Sequence, residues 1–129
     1  TRSPQWTGGG VVLAPVPRDN SNIMNKKERR LALKSALTSR VQENKLIVLE
    51  DLTLDEAKTK AMQTVLNNLN VSKALVVLNE ENKNVVLSTR NIPDVVTAYT
   101  NTINVFDILK YNTLILTKSA VASIEEVYA

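Results

Sequence analysis

The chain has 129 residues, enough for one domain with a buried core, and it contains no cysteine and no histidine. This composition excludes a disulfide framework, thiol chemistry, histidine-based zinc sites and histidine-based catalytic triads. Sixteen basic and thirteen acidic side chains give a net charge of +3, and no apolar run of about 18 residues predicts a membrane-spanning helix.

Residues 1–25 show neither helical nor strand periodicity, and they contain three of the four prolines and all three glycines. This composition predicts an extended arm that precedes a globular domain at 26–129. The only tryptophan, Trp6, lies in this polar arm, where stacking on a base or ribose competes with burial in a core. The glycines that follow it either form a flexible linker or let the backbone pass close to another surface.

Positive charge is concentrated at the front of the chain. Residues 1–45 hold nine basic and three acidic side chains, whereas residues 46–129 hold seven basic and ten acidic ones. This asymmetry predicts that the front part binds a polyanion and that the remainder serves as a scaffold.

Residues 26–44 are predicted to form a helix with two stripes. Its apolar stripe, at i, i+4 and i+8, consists of Leu33, Leu37 and Val41. Its basic stripe, at i, i+3 and i+7, consists of Lys27, Arg30 and Lys34. Basic residues on a helix are most often a solvated face. Here they are dense and close to the helix start, where the dipole disfavours cations, so they favour binding of an external anion such as nucleic acid.

Four apolar runs alternate with helical segments through the rest of the chain. The runs predict strands at 46–50, 73–78, 94–99 and 113–117, and the segments predict helices at 55–69, 80–88, 105–111 and 119–129. We expect Thr53 and Glu56 to form a capping box at the second helix. We also expect the first strand to be buried on both faces. Strands joined by helical crossovers lie parallel, so the sequence predicts an α/β fold: a three-layer α/β/α sandwich around a four-stranded parallel sheet.

The loops after the strands, where open α/β sheets bind ligands, contain acidic residues and no glycine. The lack of glycine disfavours a Rossmann or Walker phosphate site. Glu50 and Asp51, with Lys118, leave open an alternative function: a Mg²⁺-dependent phosphotransfer or receiver-like domain. The competing interpretation is that these acids lie in the first turn of the following helix, where the dipole favours them.

Several long stretches of the sequence are specific enough to suggest a family. They are "RSPQWTGGG" (2–10), "PVPRD" (15–19), "KKERRLALKSALTSRVQENKLIVLEDL" (26–52), "VSKALVVLNEENKNVVLSTRNIP" (71–93), "NVFDILKYNTLILTK" (104–118) and "IEEVYA" (124–129). Together they resemble the bacterial form of the universal uL-four family of large-subunit ribosomal proteins, over essentially the whole chain.

The resemblance implies a structural constituent of the large ribosomal subunit, active in translation in the cytoplasm, rather than an enzyme. The expected partners are large-subunit (23S-type) rRNA and neighbouring large-subunit proteins, with no cofactor, membrane or small-molecule substrate. Residues 1–25 would be the returning limb of an rRNA-penetrating extension. Its tip, near the peptide exit tunnel, and an N-terminal segment would lie upstream of Thr1. The family usually has Arg or Lys where this chain has Thr7, so we expect one phosphate contact to be missing there.

The charge pattern and the resemblance together define the candidate RNA-binding residues. Arginines offer bidentate contacts to phosphate, and lysines act as point charges. Glutamine and tryptophan would touch bases or sugars, and glycines would allow the backbone to pass close to RNA. The candidates, none of them catalytic or metal-binding, are Arg2, Gln5, Trp6, Gly8, Gly9, Gly10, Arg18, Lys26, Lys27, Arg29, Arg30, Lys34, Arg40 and Arg90.

Overall fold

The computed structural model describes residues 1–128, in which helices and strands alternate after residue 25. The elements are α1 (Lys26–Gln42), β1 (Leu46–Leu49), α2 (Thr59–Asn68), β2 (Ala74–Leu78), α3 (Lys83–Thr89), β3 (Val95–Tyr99), α4 (Val105–Lys110), β4 (Thr113–Thr117) and α5 (Lys118–Tyr128). Residues 1–25 form neither helix nor strand, and nearly all of their side chains are exposed. The predicted order of elements is confirmed.

The strands form one parallel sheet in the order β1-β4-β2-β3. The strand latest in the chain, β4, therefore lies between β1 and β2. Its register pairs Leu114 with Leu46 on one side and Thr113 with Ala74 on the other. The predicted four-stranded parallel sheet is confirmed.

Helices cover both faces of this sheet. In β2, Leu75 and Val77 pack in a cluster with residues of α1, α4 and α5. The alternate residues Ala74, Val76 and Leu78 pack in a second cluster with residues of α2 and α3. Successive side chains of a strand point to opposite faces, so the two clusters are the two cores of the three-layer α/β/α sandwich that the sequence predicts.

β1 is less buried than the sequence predicts. It lies at an edge of the sheet, its residues are at most half-buried, and Val48 is 52% exposed. The prediction of burial on both faces is therefore wrong for this strand. An apolar run indicates a strand, but its place in the sheet depends on the order of the crossovers, which is a long-range property.

α2 begins at Thr59, later than predicted, and its N-cap residue makes no side-chain capping bond. The capping box expected between Thr53 and Glu56 therefore does not start this helix. The preceding loop is held by α3 instead, because the Asn84 side-chain amide donates to the Leu54 carbonyl at 2.9 Å. This loop is therefore held by a contact to a residue 30 positions away in the chain.

α1 packs on the sheet through Leu33, Ala36 and the half-buried Leu37. Val41, predicted for the same face, is 58% exposed. Each step of four residues advances about 40° around a helix, so two steps place Val41 about 80° from Leu33. The buried position in the last turn belongs to Arg40 instead.

Candidate nucleic-acid interface

The first half of α1 carries a dense group of cations. All five are exposed, and none forms an ion pair within residues 1–128: Lys26, Lys27, Arg29, Arg30 and Lys34. The acid in this segment, Glu28, turns towards the helix start, where its Oε2 accepts a hydrogen bond from the Asn25 backbone N–H at 3.2 Å. The positive charge is therefore presented to solvent on an element that the core holds in place.

Three of these cations form one stripe. At about 100° per residue, Lys27, Arg30 and Lys34 fall within an arc of about 60° around α1. Lys26 and Arg29 lie at the start of the helix, beside the arm. A partner that approaches this side of α1 therefore meets the three charges of the stripe together.

Three other residues predicted to contact phosphate lie outside α1. Arg2 and Arg18 are exposed in the arm that precedes α1. Arg90 is exposed at the C-cap of α3, which packs on the opposite face of the sheet from α1. The structure does not bring Arg90 together with the basic helix.

Arg40 does not belong to the exposed surface, and its predicted role is corrected. It is 6% exposed. Its Nε donates to the Ile108 carbonyl at 2.9 Å, its Nη2 donates to the Leu109 carbonyl at 2.8 Å, and its Nη1 pairs with Glu43 at 2.9 Å. The two carbonyls lie in the last turn of α4, where helical partners are missing. Arg40 therefore caps α4 and ties it to α1, and it is not available to phosphate.

Glu43 completes this contact at the surface. Its carboxylate also pairs with Lys45 at 2.9 Å and accepts from the Ser39 hydroxyl at 3.1 Å. Hydrogen bonding from Lys45, and secondly from Ser39, holds the pKa of the Glu43 carboxyl below its ordinary value. The carboxylate is thus favoured in its charged form, which pairs with Arg40.

The lowered pKa of Glu43 predicts a small pH effect on stability. A carboxyl whose folded pKa is depressed stabilises the fold at neutral pH, and that contribution is lost as the pH falls through the depressed value. We expect Glu43→Gln to lower the urea midpoint at pH 7. The gap from the parent should close as the pH falls below the ordinary value of 4.5. A gap that stays constant on acidification would contradict this.

The start of the arm folds back on itself, and we call residues 2–10 the closed turn. Its backbone hydrogen bonds run from Gly10 N–H to the Arg2 carbonyl (3.2 Å), from Trp6 N–H to the Ser3 carbonyl (3.1 Å) and from Gly9 N–H to the Trp6 carbonyl (2.8 Å). The first bond joins the two ends of the segment, and the other two lie within it. The front of the arm is therefore shaped by its own backbone rather than extended.

The closed turn explains two of the three glycines. A Cβ on Gly9 would lie 2.0 Å from the Ser3 carbonyl oxygen, and Gly8 has a φ of +72°. A Cβ on Gly10 would lie 3.9 Å from the Arg2 carbonyl oxygen, which is an ordinary contact. The close approach that the sequence placed between the glycines and RNA thus occurs, at Gly9, within the arm. Trp6 belongs to neither core and is 66% exposed.

A polar cleft of about 590 Å³ lies at the carboxyl ends of the strands. Asp51, Glu80 and Glu81 are among its lining residues, whereas Glu50 is not. Asp51 Oδ1 accepts a hydrogen bond from the Leu52 N–H at 2.7 Å, within the loop before α2 rather than in a helical turn. Within residues 1–128, no three acidic side chains are placed to hold a metal ion. Of the pair Glu50 and Asp51, only Asp51 therefore lines this cleft.

A second groove, of about 630 Å³, adjoins the basic start of α1. Leu33, Ile103, Val105 and Val127 line it together with the side chain of Arg29. No spacing in the sequence indicates this groove, because its apolar residues come from three helices and a loop. The cationic surface therefore borders an apolar one.

No helix of the described chain is long and apolar enough to cross a membrane. The fold and the site define an α/β domain whose distinguishing feature is a fixed surface of positive charge. The sequence profile of the ribosomal protein L4/L1 family matches residues 1–127, and the chain belongs to that family. The resemblance drawn from the sequence is confirmed, and membership in a family of ribosomal proteins also confirms the prediction that the chain is not an enzyme.

Individual relatives are similar over the whole chain. The large ribosomal subunit protein uL4 of Agathobacter rectalis is 66% identical over 129 residues, and that of Lachnoclostridium phytofermentans is 65% identical over 129 residues. The uL4 protein of Thermoanaerobacter pseudethanolicus is 55% identical over 128 residues. The alignments cover 100%, 100% and 99% of this chain, and 63%, 63% and 62% of the three relatives. The chain thus spans slightly less than two thirds of their length.

Proposed function

We propose that this chain is a structural constituent of the large ribosomal subunit, in the cytoplasm, that binds large-subunit rRNA through its arm and the start of α1. There it stabilises the folded RNA near the peptide exit tunnel. One observation carries the proposal: seven exposed cations within the first 34 residues have no ionic partner in the described chain. They are Arg2, Arg18, Lys26, Lys27, Arg29, Arg30 and Lys34.

The mechanism is charge neutralisation by a rigid element. RNA segments that fold against each other repel through their phosphates, and each contacted phosphate releases condensed counterions. α1 is packed on the sheet by Leu33 and Ala36 and tied to α4 by Arg40, so its backbone needs no further ordering when the cations bind. Arg29 and Arg30 supply planar forks for bidentate contacts, and the lysines supply point charges.

The rest of the domain is suited to a scaffold. Residues 46–129 carry more acidic than basic side chains, and the cleft at the strand ends is acidic. Such a surface disfavours contact with phosphate and is left for neighbouring large-subunit proteins. The basic front of the chain therefore sets the orientation of the domain on the RNA.

The salt dependence of binding tests this proposal. The full chain should bind large-subunit rRNA with an affinity that falls linearly on a log–log plot against salt concentration. The double variant Arg29→Ala/Arg30→Ala should reduce that slope by about 1.4–1.8, since each lost phosphate contact removes about 0.7–0.9. Filter binding at several salt concentrations measures both slopes.

A matched double variant serves as the control. Lys60 and Lys83 are exposed. They lie at the starts of α2 and α3, on the face of the sheet opposite α1. Lys60→Ala/Lys83→Ala removes the same charge and should leave the slope close to that of the parent. An equal loss of slope in both double variants would mean that net charge, rather than the surface on α1, governs binding.

A further inference from the structure

We propose that the closed turn, residues 2–10, is a preformed receptor for a single unpaired RNA base that stacks on Trp6. The inference rests on the proposed function, because it requires that the arm meets RNA. It goes beyond that function by assigning one nucleotide-sized site and by distinguishing stacking from phosphate contact.

The first step is that the turn needs no partner to form. Three backbone hydrogen bonds of 2.8–3.2 Å close it. The Arg2 side chain folds across it and donates from Nη1 to the Thr7 carbonyl at 3.2 Å. The missing Cβ at Gly9 is required for the backbone to pass Ser3. A segment that is already shaped loses less conformational freedom on binding than a flexible linker does.

The second step is that the turn displays its aromatic ring. Trp6 is 66% exposed and belongs to neither core. The backbone of Trp6 is fixed on both sides. Its backbone N–H donates to the Ser3 carbonyl, and its carbonyl accepts from the Gly9 backbone N–H. The exposed indole on this fixed backbone offers a flat face, on which any unstacked base can lie.

The third step is that the surroundings suit a nucleotide. Residues 1–18 contain Arg2 and Arg18 and no acidic side chain; the first acid in the chain is Asp19. The Arg2 guanidinium uses one nitrogen on Thr7 and keeps other N–H groups for a phosphate on the same nucleotide. An exposed ring on a segment that has cations and no carboxylate fits an unpaired nucleotide better than it fits an acidic protein surface.

The fluorescence of Trp6 tests the site directly, since the chain has one tryptophan. The full chain is titrated with a single-stranded oligoribonucleotide and with a fully paired RNA duplex, at equal phosphate concentration. Stacking on Trp6 requires an unpaired base, so the single strand should quench the emission and the duplex should quench it far less. Equal quenching by both RNAs would overturn the proposal.

Matched glycine variants test whether the turn is needed. Gly9→Ala forces a Cβ against the Ser3 carbonyl, whereas Gly10→Ala meets only an ordinary contact. Neither variant changes the charge. We expect Gly9→Ala to weaken quenching by the single strand about tenfold with an unchanged salt slope, and Gly10→Ala to stay within about twofold of the parent. Identical behaviour of the two variants would overturn the preformed turn.

Trp6→Ala separates this inference from the proposed function. Base stacking implies that this variant binds the single-stranded RNA about 5- to 150-fold more weakly, with the salt slope retained. Salt-dependent binding with an affinity equal to that of the parent would overturn the receptor and leave the rRNA role intact. A parent chain without salt-dependent RNA binding would overturn both. Because the arm lies outside both cores, far-ultraviolet circular dichroism should be the same for all these variants.

Discussion

Replacing Arg40 by methionine is expected to lower the free energy of unfolding by about 2–4 kcal/mol. The side chain is buried and donates to the carbonyls of Ile108 and Leu109. Methionine fills similar space but donates nothing, so two carbonyls at the end of α4 lose their partners, and Glu43 loses its buried cation. Urea unfolding followed by circular dichroism measures the loss.

Two further variants isolate the cause. Arg30→Met removes the same type of side chain from an exposed position of the same helix and should change stability by no more than about 0.5 kcal/mol. Arg40→Lys keeps the charge but not the planar fork, and should fall between the parent and Arg40→Met. If Arg40→Met kept full stability but weakened RNA binding as much as Arg30→Met does, Arg40 would be a phosphate contact after all.

Reversing the charge of the basic stripe is expected to lower the association constant for large-subunit rRNA by about two to three orders of magnitude at ~0.1 M salt. The triple variant is Lys27→Glu, Arg30→Glu and Lys34→Glu, three exposed positions within one arc of α1. It removes three attractive contacts and sets three like charges against the phosphates. Fluorescence anisotropy with labelled RNA measures the change.

The control makes the same change of net charge elsewhere. Lys60→Glu, Lys83→Glu and Lys118→Glu alter three exposed lysines outside α1 and the arm. Long-range repulsion alone should weaken binding by no more than about tenfold, because charges beyond a Debye length are screened at this salt concentration. Losses of equal size in the two triple variants would argue against a localised interface.

The sequence was sufficient to predict the secondary structure and the class of fold. Asn104 caps α4 by accepting a hydrogen bond of 2.7 Å from the Asp107 N–H, and asparagine is a preferred N-cap residue. Such local signals were reliable where no distant partner intervened. They failed at α2, where Asn84 of α3 holds the carbonyl of Leu54 and keeps the preceding loop out of the helix. They also failed at β1, whose burial depends on its place at the edge of the sheet.

In the candidate site, too, local patterns were predictable from the sequence and roles that depend on distant contacts were not. The stripe of Lys27, Arg30 and Lys34 was visible from the sequence, because helical spacing alone brings these residues together. Arg40 has the same chemistry but serves the core, and its partners Ile108 and Leu109 are remote in the chain. The need for glycine at Gly9 likewise depends on a turn that no residue pattern revealed.

The central position of β4 has a consequence for how the chain assembles during synthesis. β1 is made before β2 and β3, yet its partner in the sheet is β4, which is made after them. β2 also remains open on one side until β4 arrives. The core therefore cannot close until residues 113–117 have left the ribosome that is making them, whereas α1 and the arm are exposed from the start. Contacts between such distant segments slow folding, so the nascent chain exposes its cations before the domain has finished folding.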